Sequence, residues 1–250
     1  MDKKNTPAIR IGTSGIVVPG KKEDYPEEFK TQSRLQYYSH LYNSVEINSS
    51  FHKIPMAKTF GKWAMEVPEE FKFTVKLWRG ITHNKKLDFQ PEDIDAFLAA
   101  ADNIGNKKGC LLIQFPASIQ ASYFSDVEKI LQRIAANTYG HWQTALELRH
   151  NSWYEPNVYD LFNKYNAALV FHDIAASKTP YVNLESKVVY FRFHGPKGDY
   201  RGSYSDEFLR EQANNIKYWV GKGKDVYAYF NNTMGNALEN SQLLQKLVRN

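Results

Sequence analysis

The 250-residue sequence has a single cysteine, Cys110. No intrachain disulfide is available and no thiolate cluster can hold a metal within one chain, which suits a reducing compartment. Without a second thiol or a basic neighbour in sequence, Cys110 reads as a small buried strand residue and not as a nucleophile. No stretch approaches the roughly eighteen apolar residues of a membrane span. Met1-Asp2-Lys3-Lys4-Asn5 opens without the apolar segment of a secretory signal. A cytoplasmic protein with no membrane partner is therefore expected. A glycine-rich dinucleotide fingerprint is absent, which disfavours an open doubly wound sheet, and no cofactor is expected. The excess of positive charge is small, with 32 Lys and Arg against 27 Asp and Glu for a net +5, and no Lys/Arg stripe concentrates it.

Eight short β-like runs are present, most of them rich in Val, Ile, Phe and Tyr. They span residues 8–13, 44–47, 72–76, 110–114, 144–148, 168–172, 188–193 and 226–230. Helical stripes separate most of them. Leu35, Tyr38 and Leu41 form one, and Phe60, Trp63 and Ala64 a shorter one. Pro91 suits a first helical position ahead of Ile94, Phe97, Leu98 and Ala101, with Gly105 able to end the run. Ser125 is placed to cap the stripe Val127, Ile130, Leu131 and Ile134. Pro156 and Ser205 open two more, and Leu238, Leu243, Leu244 and Leu247 belong to the last. The segment 174–187 contains Pro180 and lacks a stripe, so the sixth helix should be short or missing. Strands alternating with helices need parallel neighbours and crossovers. Eight such units over about 250 residues give an α/β chain forming one (β/α)8 TIM barrel across residues 1–250.

Polar residues gather where these strands stop, the end of a barrel that carries active sites. Glu46 and Asn48 end the second strand, Lys76 the third and Gln114 the fourth. Glu147 and Arg149 end the fifth, Asp173 the sixth, Arg192 and His194 the seventh, and Asn231 with Asn232 the eighth. Residues two apart share a face, so three strands aim paired polar groups at one axis. His172 should then point away from the axis if Asp173 points in. Burying such charges is costly unless they pair with one another or hold a ligand. Two accounts follow: a catalytic or binding mouth, or a neutral ion-pair network plugging the barrel.

Several segments together resemble the successive signatures of the YecE-like family, domain-of-unknown-function family number 72. They are Gly12-Thr13-Ser14-Gly15, Val45-Glu46-Ile47-Asn48-Ser49-Ser50-Phe51, Ile81-Thr82-His83, Gln114-Phe115-Pro116, Glu147-Leu148-Arg149-His150-Asn151-Ser152-Trp153, Tyr190-Phe191-Arg192-Phe193-His194-Gly195 and Tyr229-Phe230-Asn231-Asn232. The match runs in order along essentially the whole chain. It implies a TIM barrel and supplies no reaction. Two departures stand out. Ile16, followed by Val17-Val18-Pro19, replaces the tryptophan usual after Gly-Thr-Ser-Gly, and His52 replaces a tyrosine.

The leading expectation is an enzyme acting by acid–base chemistry on a small anionic substrate, a phosphorylated sugar or nucleotide-like molecule. A metal-independent hydrolase, lyase or isomerase is favoured. Glu46 and Glu147 would divide the acid and base roles if their surroundings push their pKa values apart. His194, Asp173 and Lys76 are further catalytic candidates, Lys76 also as a Schiff-base amine if desolvated. Arg192, Arg149, Asn48, Gln114, Asn231, Asn232, Lys197 and Arg201 would bind the substrate or its anionic group. The glycine-bearing stretches 195–202 and 231–237 are expected to offer backbone N–H groups to a phosphate, with Arg192 gripping it bidentately. The plainer alternative for these stretches is a flexible surface loop. Glu46, Glu147, Asp173 and His194 resemble a metal-ligand set, but Lys76, Arg149 and Arg192 would crowd a cation, and no metal is expected. Nucleic-acid backbone binding or endonuclease-like cleavage is the second reading, suggested by the basic pI and by Trp78, Trp153, Tyr200 and Tyr204. A noncatalytic ligand-binding barrel is the third. His83 and His150 sit in mouth loops, where histidines satisfied by their own loop are commoner than ligand contacts. The oligomeric state is left open.

Overall fold

In a computed structural model, the chain is described over residues 7–139, 142–182 and 185–250. The N-terminal Met1 to Asn5 and part of the 174–187 segment lie outside the described residues. The strands are β1 (Ile9–Thr13), β2 (Ser44–Ile47), β3 (Lys72–Lys76), β4 (Lys108–Phe115), β5 (Gln143–Leu148), β6 (Ala168–His172), β7 (Val188–Phe193) and β8 (Asp225–Phe230). All neighbours are parallel, in the order β1-β8-β7-β6-β5-β4-β3-β2.

The cylinder closes where β1 meets β2, through a bridge between Ser14 and Glu46 and the bond from Gly15 N–H to Glu46 O at 2.7 Å. Below it, Tyr38 spans the seam. Its hydroxyl accepts from Thr13 N–H at 2.8 Å and donates to Ser44 O at 3.1 Å. Gly12 must be glycine for this to fit, since a Cβ there would lie 2.8 Å from the Tyr38 oxygen. The seam of the barrel therefore ends at one of the expected site carboxylates.

The outer helices are α1 (Arg34–Leu41), α2 (Ser49–His52), α3 (Ala57–Met65), α4 (Arg79–Thr82), α5 (Pro91–Ala101), α6 (Phe124–Ala135), α7 (Pro156–Lys164), α8 (Asp206–Gly221) and α9 (Ala237–Arg249). Their apolar faces cover the sheet. Val127, Ile130 and Leu131 of α6 are buried, each contributing about 1.5–3 kcal/mol. Pro156 takes the first position of α7, where its missing N–H costs no helical bond. Ser205 caps α8 by accepting from Phe208 N–H at 3.2 Å. Ser125 does not cap α6: the helix starts at Phe124 after Tyr123, continuing a 3₁₀ turn over Ala121–Tyr123. Helix α5 ends at Ala101, and Gly105, with φ 64°, kinks the 3₁₀ segment Asp102–Lys107 that follows. The two one-turn helices α2 and α4 are too short to show a periodic stripe in sequence.

Between β6 and β7 the described residues hold only a 3₁₀ turn, Ala175–Ser177. Tyr154 and Thr179 pin this connection, through Tyr154 O–H to Ser177 O at 2.7 Å and Thr179 Oγ1 to Val170 O at 2.8 Å.

Inside the barrel, Cys110, Leu112, Ala145, Ala168, Val170, Val188, Tyr190, Tyr227 and Tyr229 pack together. Burial raises the Cys110 thiol to a pKa above the usual range, which makes it a poor nucleophile. Alternation from these residues sends Ser14, Glu46, Asn48, Lys76, Gln114, Glu147, Arg149, Arg192, His194 and Asn231 to the interior face at the C-terminal ends. By the same parity His172 lies on that face, contrary to expectation, and bonds through Nε2 to Leu148 O at 3.0 Å. Asp173 reaches His194 from just beyond the strand end.

Candidate active site at the barrel mouth

Arg192 lies at the centre, buried between two buried carboxylates. Its Nε donates to both oxygens of Glu46 at 3.1 Å, and Nη2 to Glu46 Oε1 at 2.8 Å and to Ser14 Oγ at 3.2 Å. Nη1 donates to Glu147 Oε2 at 3.0 Å and to His194 Nε2 at 3.2 Å. All five N–H donors thus have protein acceptors. The expected bidentate grip on a bound anion is corrected here: Arg192 is the central cation of the network.

Glu46 also accepts from Ser14 Oγ and the Tyr190 hydroxyl, and Glu147 from Arg149. Burial alone would raise both carboxyls. The neighbouring guanidinium charges outweigh it, holding Glu46 below the usual range and Glu147 well below it. Both are therefore ionised, and the expected split into one acid and one base does not form. Arg192 is raised further still, because its two carboxylate partners overcome the burial that would lower it.

His194 is fully buried. Its Nε2 accepts from Arg149 Nη2 at 3.0 Å as well as from Arg192. Asp173 Oδ1 accepts from His194 N–H at 2.9 Å and faces Nδ1 at 3.3 Å, and Tyr204 donates to the other oxygen of Asp173. Burial lowers the His194 pKa to about 4, with Glu147 and Asp173 opposing the shift but not overcoming it. The 3.6 Å approach of its ring to Glu147 is therefore not an ion pair near neutral pH.

Lys76 differs from every other cation here. Among the described residues no carboxylate lies within ion-pair distance, although it is 7% exposed. Its Nζ donates to Gln114 Oε1 at 2.9 Å and lies 3.9 Å from the centre of the Phe51 ring. Burial, with Arg192 next in weight, lowers its pKa to about 7 despite the opposing pull of Glu147 and Glu46. Gln114 continues outward to His83, Nε2 to Nε2 at 3.5 Å. His83 packs edge-on to Phe51 at 4.8 Å, and burial together with Lys76, Arg79 and Arg149 lowers it to about 4.

Some polar atoms of the expected site residues, Asn232 Oδ1 among them, lack partners among the described residues. Asn48 donates to Ser14 Oγ at 2.6 Å, but its buried Oδ1 has none among the described residues. Arg149 uses Nε and Nη2, leaving Nη1 unpartnered among the described residues. Asn231 follows β8 on the interior face and is 8% exposed.

The other expected residues lie elsewhere. Asn232 turns to the outer layer, donating to Gly202 O at 3.0 Å and Asn240 Oδ1 at 3.1 Å. Lys197 and Arg201 are exposed. Their loop and the one after β8 are joined by Met234 N–H to Tyr200 O at 3.1 Å and Asn236 N–H to Gly202 O at 3.1 Å. Gly195 N–H is taken by the Tyr204 hydroxyl at 2.6 Å, and Gly198 N–H by Gly195 O at 2.8 Å. Backbone donors expected to face a phosphate thus close the loops on themselves. Trp153 is core, bonding Ile119 O at 2.8 Å, and His150 accepts from Ser152 N–H at 3.1 Å within its own loop. Ser14 and Tyr190 stood in sequence only within the family segments and Tyr204 only as a mouth aromatic, and none of the three was expected in the charged network. Interior parity marks the first two, while Tyr204 arrives from a loop and has no such signal.

A parallel eight-stranded barrel with a charged C-terminal mouth defines the class of the protein. The chain belongs to a family described as protein of unknown function DUF72, which matches residues 10–250. It is 28% identical to UPF0759 protein YunF of Bacillus subtilis (strain 168) over 90% of this chain and 89% of that one. A crystal structure of a DUF72 family protein (EF0366) from Enterococcus faecalis V583 superposes with a TM-score of 0.79 at 24% identity, covering 98% of each chain. Another (TM1631), from Thermotoga maritima MSB8, gives 0.77 at 23% identity, covering 97% of this chain and 100% of that one. These likenesses agree on the barrel. No helix among the described residues is long and apolar enough to cross a membrane.

Proposed function

We propose that the protein is an enzyme acting by acid–base chemistry on a small anionic, hydroxyl-bearing molecule such as a phosphorylated sugar, with Lys76 as the proton-transferring group. The carrying observation is Lys76 itself: a nearly buried amine with no carboxylate in ion-pair range among the described residues, poised between its protonated and free forms near neutral pH. Burying a lysine this way is costly, and a purely structural network would have paired it. The Glu46–Arg192–Glu147 network is the rigid floor. It fills the barrel and sets the potential above it. Arg149 Nη1 supports binding of the anionic group, and Asn48 Oδ1 binding of a hydroxyl. Crowding by Lys76, Arg149 and Arg192 supports metal-independent chemistry. Nucleic-acid binding has less support, because of the four aromatics that suggested it Trp153 and Tyr204 are buried inside the fold and cannot stack on bases, leaving Trp78 and Tyr200.

The test is turnover of a panel of sugar phosphates and nucleotides followed by NMR, with wild type and Lys76→Met side by side. A consumed compound should be turned over about a hundredfold more slowly, or worse, by the variant. Equal turnover by both would remove Lys76 from the chemistry.

A further inference from the structure

The surroundings of Lys76 suit a nucleophile better than they suit an acid–base group alone. A general base works best aimed at the substrate through one fixed proton path. Lys76 instead sits as a primary amine against an aromatic face, with one neutral hydrogen-bond acceptor and flanking guanidinium groups. We propose that Lys76 adds to the carbonyl carbon of a small aldehyde or keto acid in the mouth and forms an imine, an inference that rests on the anionic-substrate reading above.

Three features of the site carry this. Among the described residues Gln114 Oε1 is the sole hydrogen-bond acceptor of the amine, at 2.9 Å, so one N–H direction is fixed by an uncharged partner. Phe51, 3.9 Å away at its ring centre, covers one side of the amine and so slows hydrolysis of a C=N bond; its ring face favours the ammonium, and the free amine is favoured by burial and Arg192. Gln114 is oriented in turn, because its oxygen faces Lys76 and its NH₂ therefore faces His83 Nε2 at 3.5 Å. His83 Nδ1 then carries the ring proton toward Thr82 Oγ1 at 2.8 Å. Arg149, with Nη1 unpartnered among the described residues, is close enough to act on the amine electrostatically and is the natural seat of the substrate's carboxylate or phosphate. The charged and titratable groups acting on Lys76 are Arg192, Glu147, Glu46 and Arg149, with His83 beyond Gln114 and Arg79 near the Phe51 ring.

The step balances without any added oxidant or reductant. The free amine's electron pair forms the C–N bond as the carbonyl π pair moves to oxygen. Both amine protons end on that oxygen, which leaves as water while the nitrogen pair forms C=N. An imine next to a carboxylate or phosphate-bearing carbon is an electron sink, which places the reaction among eliminations, isomerisations or carbon–carbon cleavages adjacent to a carbonyl.

The test uses glyoxylate, the smallest aldehyde acid, with sodium cyanoborohydride on the intact protein near neutral pH, followed by peptide mass mapping. Propionaldehyde is the uncharged comparison. Wild type should gain one carboxymethyl group on Lys76 at least about tenfold ahead of any other lysine. Glyoxylate should outpace propionaldehyde there, and Lys76→Met and Lys76→Arg, checked for folding by circular dichroism, should lose that adduct. Labelling of Lys76 no faster than exposed lysines in wild type would overturn the imine, whether or not either variant folds. Equal labelling of Lys76 by both aldehydes would uphold imine formation and remove the anionic-substrate reading. Saturable glyoxylate binding without a Lys76 adduct would do the reverse.

Discussion

Arg192 Nη1 lies 3.2 Å from Nε2 of His194, and this contact assigns the proton on the imidazole. A guanidinium only donates, so Nε2 must hold a lone pair, and Arg149 Nη2 at 3.0 Å makes the same demand. The proton therefore sits on Nδ1, facing Asp173. His194 is expected to stay neutral as the Nδ1–H tautomer down to about pH 5, since its pKa is lowered to about 4. Nitrogen-15 correlation spectra of the ring, recorded from neutral pH downward, check this. An imidazolium signal at pH 6 would contradict it.

Replacing Glu46 by Gln removes one of the two carboxylates that neutralise Arg192 in a buried setting. Unfolding by urea at neutral pH should show a loss of about 3 kcal/mol or more, far beyond what an exposed pair would give. The pH dependence has a defined sign. Glu46 and Glu147 have folded pKa values below their unfolded ones, so their stabilisation is present above about pH 4.3 and lost as pH falls below it. His194, also lowered, adds a loss beginning nearer pH 6.5 and complete by about 4. Glu46→Gln should flatten the lower limb and leave the upper one unchanged. A variant as stable as wild type would mean the network does not hold the mouth together.

The strand registers and interior parity were legible from sequence because alternation along β2, β5 and β7 fixes which side chains meet. That parity brought Glu46, Lys76, Glu147, Arg149, Arg192 and His194 together. It did not reveal which partner each would choose. Glu147 could pair with Arg149, Arg192 or both, and only geometry shows that it takes both while Lys76 is left out. His172 was misplaced because Asp173, beyond the end of β6, no longer obeys the strand's alternation. Asn232 followed the same logic in reverse: it continues β8 on the outer face and serves the loop around Gly202. Tyr204 and Phe51 come from connections without periodic order, and nothing in sequence tied them to Asp173 or Lys76.

Tyr204 is a positioning residue whose role can be isolated. Its hydroxyl donates to Asp173 and accepts from Gly195 N–H at 2.6 Å. Tyr204→Phe leaves a buried N–H and a carboxylate oxygen without partners, at a cost of about 1–3 kcal/mol. Thermal or urea unfolding should show that loss. The Nδ1–H signal of His194 should broaden as Asp173 loosens, a change that simple loss of packing would not produce. Unchanged stability and an unchanged ring signal together would show that Tyr204 does not hold Asp173.

The state of the Lys76 amine is the most direct test of the account. Competitive acetylation of the intact protein across a pH series, with peptide mapping, gives the titration midpoint of each lysine separately. Lys76 should show a midpoint near 7, more than two units below the roughly 10.4 of exposed lysines, and it should be the lysine that reacts first at neutral pH. A midpoint for Lys76 in the ordinary lysine range would contradict the account, since a permanently protonated amine can neither accept a proton nor add to a carbonyl.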